Sequence, residues 1–304
     1  MTMPRVLLVF LMLTVLSATS AMAGEGTLIH NGVERRYIIR EPQIAALDLK
    51  VPAIIVLHGG GGNAESAERM TGFTELAVPH GCIVVYPEGT SRFSRMRGLK
   101  TWNARHCCGY AMKQDVDDVG FISALIDRLV AENHADPRRI YVTGMSNGAM
   151  MTHRLGIELS GKIAAIGPVV GGLFGDEPIP PHPVSAMIVN GARDKSIPLH
   201  GGQTGSRFPD AWDGTPLKPA AYQGEFWARA NGCGQATDSA TAGGAVLVRT
   251  YACPQGRDVV QYLVQKGGHA WPGGQKGSRR GDTPSKALNA TEVLFTFFME
   301  HGRS

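Results

Sequence analysis

The chain has 304 residues, 43% of them apolar, with 30 Lys and Arg against 26 Asp and Glu and a formal charge of +4 at pH 7. That length holds one large core or two small ones, and the near balance of charge argues against a nucleic-acid-binding protein, which would concentrate Lys and Arg on one face. Basic residues gather only locally, around Arg92, Arg95, Arg97 and Lys100 and again at Lys276, Arg279 and Arg280, where solvated loop charge is the simpler reading and an anion site the alternative.

The first residues, "MTMPRVLLVFLMLTVLSATSAMAGEG", carry one early charge at Arg5, an apolar stretch, and Ala21-Met22-Ala23 before Gly24. A positive end, an apolar middle and a small-x-small site are the marks of a secretory signal peptide. Residues 1–23 are therefore expected to be removed after Ala23, leaving a single domain over residues 24–304 that is secreted or periplasmic. No membrane anchor is expected, because the run from Val6 to Leu16 is too short to span a bilayer. Five cysteines in an exported chain read as a disulfide framework with one left over. Cys233 and Cys253 flank a Gly- and Thr-rich stretch and are placed to staple it. The adjacent Cys107 and Cys108 either bridge each other or offer one sulfur to Cys82. No metal site is expected, since neither C-x-x-C nor H-E-x-x-H occurs.

In chain order, "GTLIH" and "VERRYIIR" flank Asn31-Gly32, a hairpin signal. "PAIIVLHGGGG" is a fully apolar strand ending in glycines, "AERMTGFTELAVPHG" a helix with a glycine stop, and "CIVVYPEG" the next strand. Residues 87–114 read as a long loop carrying Trp102 and the cysteine pair. Asp115, Asp117 and Asp118 open an amphipathic helix with Val119, Ile122, Leu125, Ile126, Leu129 and Val130 at helical spacing, and acidic groups suit its positive end. "RRIYVTG" is a strand, "NGAMMTHRLGIEL" a helix, and "KIAAIGPVVGG" and "VSAMIVNG" are strands. The Gly/Pro-rich stretch 201–219 is a surface loop. A helix near 218–230, two strands near 246–264 and a final helix, "SKALNATEVLFTFFMEH", follow. Apolar strands alternating with helices predict an α/β fold, a mainly parallel central sheet flanked by helices, with an N-terminal antiparallel hairpin.

Between the strand ending at Gly144 and the helix from Asn147 stands Ser146, in Gly-Met-Ser-Asn-Gly. Gly-x-Ser-x-Gly mounts a nucleophile on a sharp strand-to-helix turn, but in a chain this rich in glycine about a quarter of a match arises by chance. Its neighbours decide. In such sheets ligands bind beyond the carboxyl ends of the strands, and a serine hydroxyl needs a base that is itself oriented by a carboxylate. The expected chain order is Ser, then acid, then His. Of the later histidines, His153 lies on the nucleophile's own helix, His301 in the final helix, His182 in a proline loop, and His200 too near the acid. His269, in "QKGGHAWPGG" after the strand "VVQYLVQ", is left as the base. Asp194 follows the strand of "VSAMIVNGARD" and is the acid, with Asp176 the runner-up.

Attack on an ester carbonyl puts negative charge on its oxygen, which preorganised N–H donors stabilise. "HGGGGN" at the end of the first apolar strand lets backbone approach a ligand closely. Gly60 is the first choice there and Gly61 the second, with the N–H of Asn147 completing the pair. A phosphate-cradling loop would end in Gly-Lys-Ser/Thr, which this one does not. His58 reads as structural.

The stretches "VLHGGGGNAE", "VVYPEG", "TWNARHCCG", "DVDDVGFISALID", "RIYVTGMSNGAMM", "VNGARDKSIPLHGG" and "GGHAWPGG" resemble the secreted polyhydroxybutyrate depolymerase and feruloyl esterase family of α/β hydrolases, over roughly residues 30–300. The resemblance implies the α/β-hydrolase fold, Ser146, Asp194 and His269 as the triad, a Cys233–Cys253 bridge, and hydrolysis of carboxylic esters without a cofactor. The partner it implies is an ester or polyester: hydroxyalkanoate polyesters, or alternatively feruloyl and acetylxylan-type esters of plant polysaccharide. Asn147-Gly148-Ala149 is closer to the feruloyl-esterase-like branch, and no linker or separate polymer-binding domain is seen. Soluble oligomers or amorphous chains are thus expected rather than crystalline polymer. Trp102 and Trp271 are expected to line the acyl pocket. From outside enzymology, the competing reading is a non-catalytic polymer-binding protein on a hydrolase fold.

Overall fold

A computed structural model describes residues 22–43, 49–92, 99–204 and 211–303. Its strands are β1 (Met22–His30), β2 (Val33–Glu41), β3 (Val51–Leu57), β4 (Ile83–Pro87), β5 (Ala135–Met145), β6 (Ala165–Val169), β7 (Ser185–Gly191), β8 (Ala236–Thr241), β9 (Val246–Tyr251) and β10 (Val259–Val264). They form one sheet in the order β1-β2-β4-β3-β5-β6-β7-β10-β9-β8. The six strands from β4 to β10 are parallel to one another. The β1–β2 hairpin adds antiparallel to β4 on one side, and β9 and β8 add antiparallel to β10 on the other.

Alternation along the strands builds two cores. In β3, Ala53, Ile55 and Leu57 face one layer and Ile54 and Val56 the opposite one. The first layer packs Phe121 and Leu125 of α4 (Asp118–Glu132), Met151 and Leu155 of α5 (Asn147–Glu158), and Phe226 and Trp227 of α6 (Ala221–Asn231). The second packs Met70 of α1 (Ala64–Thr71), Phe73 of α2 (Phe73–Ala77), and Leu294 and Phe298 of α7 (Ala290–Glu300). A strand buried on both faces must be apolar throughout, and each fully buried aliphatic side chain stabilises the fold by roughly 1.5–3 kcal/mol.

A buried ion pair ties the hairpin to this layer structure. Arg35 of β2 donates to Asp118 at the start of α4 (2.6 Å), and both are almost wholly buried. Arg35 also donates to Glu88 O and lies over the Phe121 ring. Burial pushes the Asp118 carboxyl up, an effect that Arg35 opposes. The acidic start of α4 is structural, as expected: Asp117 caps Gly120 N–H.

Four local expectations are revised. The helix expected over 67–81 breaks at Gly72, whose left-handed φ of 67° ends α1 and redirects the chain into α2 and a short 3-10 turn over Val78–His80. The loop 87–114 contains a short helix, α3 (Gly109–Lys113). The final helix starts at Ala290 rather than Ser285, capped by Asn289. Strand β8 was not expected, because "ATDSAT" is exposed along its whole length and has no apolar alternation. It is held by pairing to β9, by the Arg249–Asp238 ion pair, and by the Cys233–Cys253 disulfide at the base of the hairpin. Cys107 and Cys108 are joined to each other, and Cys82 is free and buried against Met299.

Most of the expected signal peptide lies outside the described residues; Met22 and Ala23 pair with Glu41 and Arg40 at the start of β1. No helix among the described residues is long and apolar enough to cross a membrane.

Because the Cys233–Cys253 bridge closes a loop of 20 residues, replacing both cysteines with serine is expected to lower the unfolding free energy by about 3 kcal/mol. Denaturant unfolding measures this, and faster amide exchange confined to β8 and β9 would accompany it.

Candidate active site

The carboxyl ends of β3, β5, β7 and β10 meet at one rim. At the end of β5, Ser146 has φ 59° and ψ −120°, a conformation costing an L-residue of order 1–3 kcal/mol. The flanking glycines explain how it is held. A Cβ on Gly148 would stand 2.5 Å from His58 O and 2.6 Å from Leu57 O, and one on Gly144 would stand 2.7 Å from Gly148 O. Only bare Cα atoms let the first turn of α5 lie against the end of β3, so the turn at Ser146 must be sharp. Ser146 N–H donates to Val169 O, and its carbonyl accepts from Met150 N–H.

His269 Nε2 lies 2.8 Å from Ser146 Oγ, and its Nδ1 lies 2.7 Å from Asp194 Oδ2. The carboxylate beyond Nδ1 fixes that nitrogen as the N–H donor, leaving Nε2 to accept the serine proton. Asp194 is buried, with its second oxygen accepting from the N–H groups of Ser196 and Ile197, both at 2.8 Å. The His269 backbone N–H donates to Asp282 Oδ2 (2.7 Å). Sequence spacing gave no sign of Asp282, which acts 13 residues beyond the histidine it holds.

The β3 loop is tied down almost everywhere. His58 donates from Nδ1 to Gly59 O and accepts at Nε2 from Gly89 N–H, which requires a neutral ring. Gly62 N–H donates to Gly59 O, and Asn63 and Ser66 form a capping box on α1. The N–H groups of Gly60 and Asn147 have no protein acceptor among the described residues, and a Cβ on Gly60 would stand 3.6 Å from that of Asn147. Gly60 and Asn147 are thus neighbouring residues beside Ser146. Gly61 departs from expectation: its N–H is donated to Lys100 O at 2.8 Å and is not free for a ligand.

Asn147 has a second part. Its side chain accepts from Trp102 N–H (2.8 Å) and donates to Trp102 O (3.0 Å), fastening the 99–104 segment over the nucleophile's helix. The same segment is held by Asn103 N–H on Asp118 and by the Lys100–Glu88 ion pair. None of these contacts has a sequence signature.

Trp102 and Trp271, expected to line an acyl pocket, are fully buried (0% exposed). Trp102 Nε1–H donates to His58 O and Trp271 Nε1–H to Thr291 Oγ1, so each indole is sealed in the core with its one donor used. Asp176, the runner-up acid, pairs with His106 instead (2.9 Å), and Asp213 occupies the other ring nitrogen (2.6 Å). His153 is buried between Gln223, whose Oε1 accepts a hydrogen bond from its Nε2–H, and Trp227, which donates to its Nδ1.

A mainly parallel sheet with antiparallel edges, helices on both faces and a Ser–His–Asp array at its strand ends is the α/β-hydrolase fold. The chain belongs to the esterase family described as Esterase PHB depolymerase, whose model matches residues 35–203, and it is a carboxylic ester hydrolase. It is 33% identical to NocK of Nocardia uniformis subsp. tsuyamanensis over 246 residues, 77% of this chain and 69% of that one. It is 26% identical to feruloyl esterase B of Piromyces equi over 80% of this chain, and 27% identical to poly(3-hydroxyalkanoate) depolymerase C of Paucimonas lemoignei over 43%. The chain spans only 44% and 30% of those two relatives' lengths. Among solved structures, the acetyl xylan esterase from Aspergillus awamori superposes with a TM-score of 0.57 at 14% identity, covering 81% of this chain and 94% of that one, a likeness of fold.

Burial pushes both His58 and His153 down to about 4 from the ordinary 6.5. Their unfolded forms therefore bind protons that the folded protein does not, so stability is full above about pH 6.5 and falls as the pH drops toward 4. At His106 partial burial works against protonation, but the Asp176 and Asp213 carboxylates raise its pKa overall, giving a contribution of opposite sign that grows on acidification. Urea midpoints measured across this range are expected to fall with decreasing pH. Because His106 opposes the two buried rings, the His153→Gln variant should show less than half of their net slope, and an unchanged slope would place the acid sensitivity elsewhere.

Proposed function

We propose that the protein is an exported serine esterase acting through an acyl-enzyme, with soluble hydroxyalkanoate oligomers as its substrates. The observation that carries this reading is the continuous chain from Ser146 Oγ through His269 to Asp194, at 2.8 and 2.7 Å. In it, Ser146 attacks the ester carbonyl as His269 Nε2 takes its proton, and the N–H groups of Gly60 and Asn147 receive the negative charge on the oxygen. Asp194 orients the ring and balances the imidazolium. The same proton passes to the leaving alcohol, and water, deprotonated in turn by His269, clears the acyl group. Nothing in these steps calls for a cofactor or a metal.

Export of the chain, by way of residues 1–23, is supported by the Cys233–Cys253 disulfide, which persists in oxidising compartments. The second reading, an esterase on feruloyl or acetylated polysaccharide, is favoured by the length of the match to the Piromyces feruloyl esterase, 80% of this chain. Against it, the two tryptophans expected to line the acyl pocket are both buried and offer an aromatic acyl group no exposed ring. A non-catalytic polymer-binding role would leave the strained serine and its two free amides without purpose.

Ser146→Ala is expected to reduce turnover of p-nitrophenyl acetate by roughly 10³- to 10⁶-fold and to abolish stoichiometric labelling by a fluorophosphonate. Turnover at the wild-type rate in this variant would refute the mechanism. In a paired assay, a hydroxybutyrate trimer should be cleaved faster than methyl ferulate; the reverse order would transfer the assignment to the second reading.

A further inference from the structure

The loops that carry the acid and the base are charged in a way the mechanism above does not use. Residues 192–200 and 265–289 contain seven Lys and Arg but only two carboxylates, Asp194 and Asp282. Both carboxylates are engaged with His269, one at its ring and one at its backbone N–H. The remaining charge has no counter-ion: Arg193, Lys195, Lys266, Arg279 and Arg280 are exposed, and none forms an ion pair among the described residues. Ion pairs do form elsewhere on the surface, as at Arg40–Glu68, Arg128–Glu132, Arg154–Glu158 and Lys162–Asp127, and Arg69, Lys113, Arg138, Arg229 and Arg257 are exposed without one among the described residues. These are scattered, whereas the five cations of the two loops adjoin.

The backbone brings these five residues to one place. Arg193 N–H donates to Gly267 O (2.8 Å), setting the loop after β7 beside the loop after β10, with Lys266 next in the chain. Lys195 adjoins Asp194. Asp282, bonded to His269 N–H, follows the tight turn Ser278–Gly281 that carries Arg279 and Arg280. The carboxylates on the neighbouring loops are occupied: Asp176 and Asp213 flank His106, and Glu177 accepts from the N–H groups of Phe174 and Gly175.

The side of the site on which this charge lies is informative. The oxyanion amides belong to the β3 loop and to the start of α5, whereas the leaving oxygen must collect its proton from His269 Nε2. The alcohol half of the ester therefore departs past the loops that hold His269, and those are the cationic ones. We infer that these loops form an anion subsite for the leaving group, so that the favoured substrates are esters whose alcohol half carries a carboxylate. The final ester bond of a hydroxyacid oligomer is of this kind: the C–O bond breaks, the oxygen takes the proton from His269, and a free hydroxycarboxylate leaves. Cleavage then proceeds from the carboxyl end. A feruloyl ester of a neutral sugar offers no such charge. This inference rests on the Ser146–His269 mechanism and goes beyond it in assigning substrate polarity and direction.

The test compares acetate release from 3-acetoxybutyrate and from its methyl ester, with p-nitrophenyl acetate as a neutral reference. Near 10 mM salt kcat/KM is expected to favour the free acid by about tenfold, and near 1 M salt, where the screening length shrinks to about 3 Å, the preference should vanish. Arg279→Glu combined with Arg280→Glu should reverse the low-salt preference while leaving p-nitrophenyl acetate turnover within about twofold. A p-nitrophenyl hemisuccinate, with its carboxylate on the acyl half, should respond less to both salt and charge reversal. Equal or better use of the methyl ester at low salt, an unchanged ratio in the charge-reversed enzyme, or a larger response from the hemisuccinate would each overturn the subsite. Absence of p-nitrophenyl acetate turnover by the wild type would instead refute the esterase mechanism itself.

Discussion

The geometry of this molecule depends on how closely the first turn of α5 approaches the end of β3. Gly148 lies against the carbonyls of Leu57 and His58, where a methyl group would stand about 2.5 Å from either oxygen. With the helix start pressed that tightly onto the neighbouring strand, the chain has no room for a relaxed connection, and Ser146 takes up the turn at φ 59°. The strain is local and is opposed by the two cores that clamp β3 and β5 from both faces. Two consequences follow from one contact. The hydroxyl is thrust above the sheet toward His269, and the Asn147 amide, freed by its place at a helix start, comes beside that of Gly60.

A second constraint keeps those amides in place. His58 must be neutral to accept from Gly89 while donating to Gly59, and Asn147 grips both polar groups of the Trp102 backbone. Much of the polar surface around the proposed oxyanion position is committed to partners, while the Gly60 and Asn147 amides have no protein acceptor among the described residues. An oxyanion gains most from dipoles already fixed before it forms, in surroundings that need not reorganise. Burying Trp102 beneath this loop, with its indole N–H on His58 O, serves that rigidity. This is why a residue that sequence reasoning assigned to substrate contact belongs to the scaffold.

What could be read from the chain alone divides along the same lines. Strands buried on both faces announce themselves as apolar runs, so the parallel strands of the sheet and the hairpin at Asn31-Gly32 were legible, and with them the positions of Ser146, Asp194 and His269 just past strand ends. The edge strand β8 was not, because an exposed strand held by pairing alone needs no apolar pattern. Nor was the break at Gly72, where the helical periodicity of "AERMTGFTELA" continues through a residue whose backbone turns away. Long-range polar contacts left no trace either. Asp282 on His269, Asp118 on Arg35 and Asn103, and Asn147 on Trp102 are each defined by the folded chain rather than by spacing. The bond that occupies Gly61 is invisible for the same reason, since its amide is consumed by Lys100 O, a partner supplied from a distant loop.

The two halves of the site are built from different physics. On the β3 side, a hydrogen-bonded net around His58 and Asn147 leaves two amides which, in the proposed mechanism, meet a charge that exists only in passing. On the β7 and β10 side, one buried carboxylate orients the base, a second holds its backbone, and a set of exposed cations is left without counter-ions. A transient charge is served by fixed dipoles at contact distance, where desolvation makes them strong. A permanent charge on a substrate can be attracted through water over several ångströms without the cost of burying it. Placing the first arrangement at the carbonyl oxygen and the second where the alcohol leaves suits an ester whose reacting bond is neutral and whose departing half is an anion.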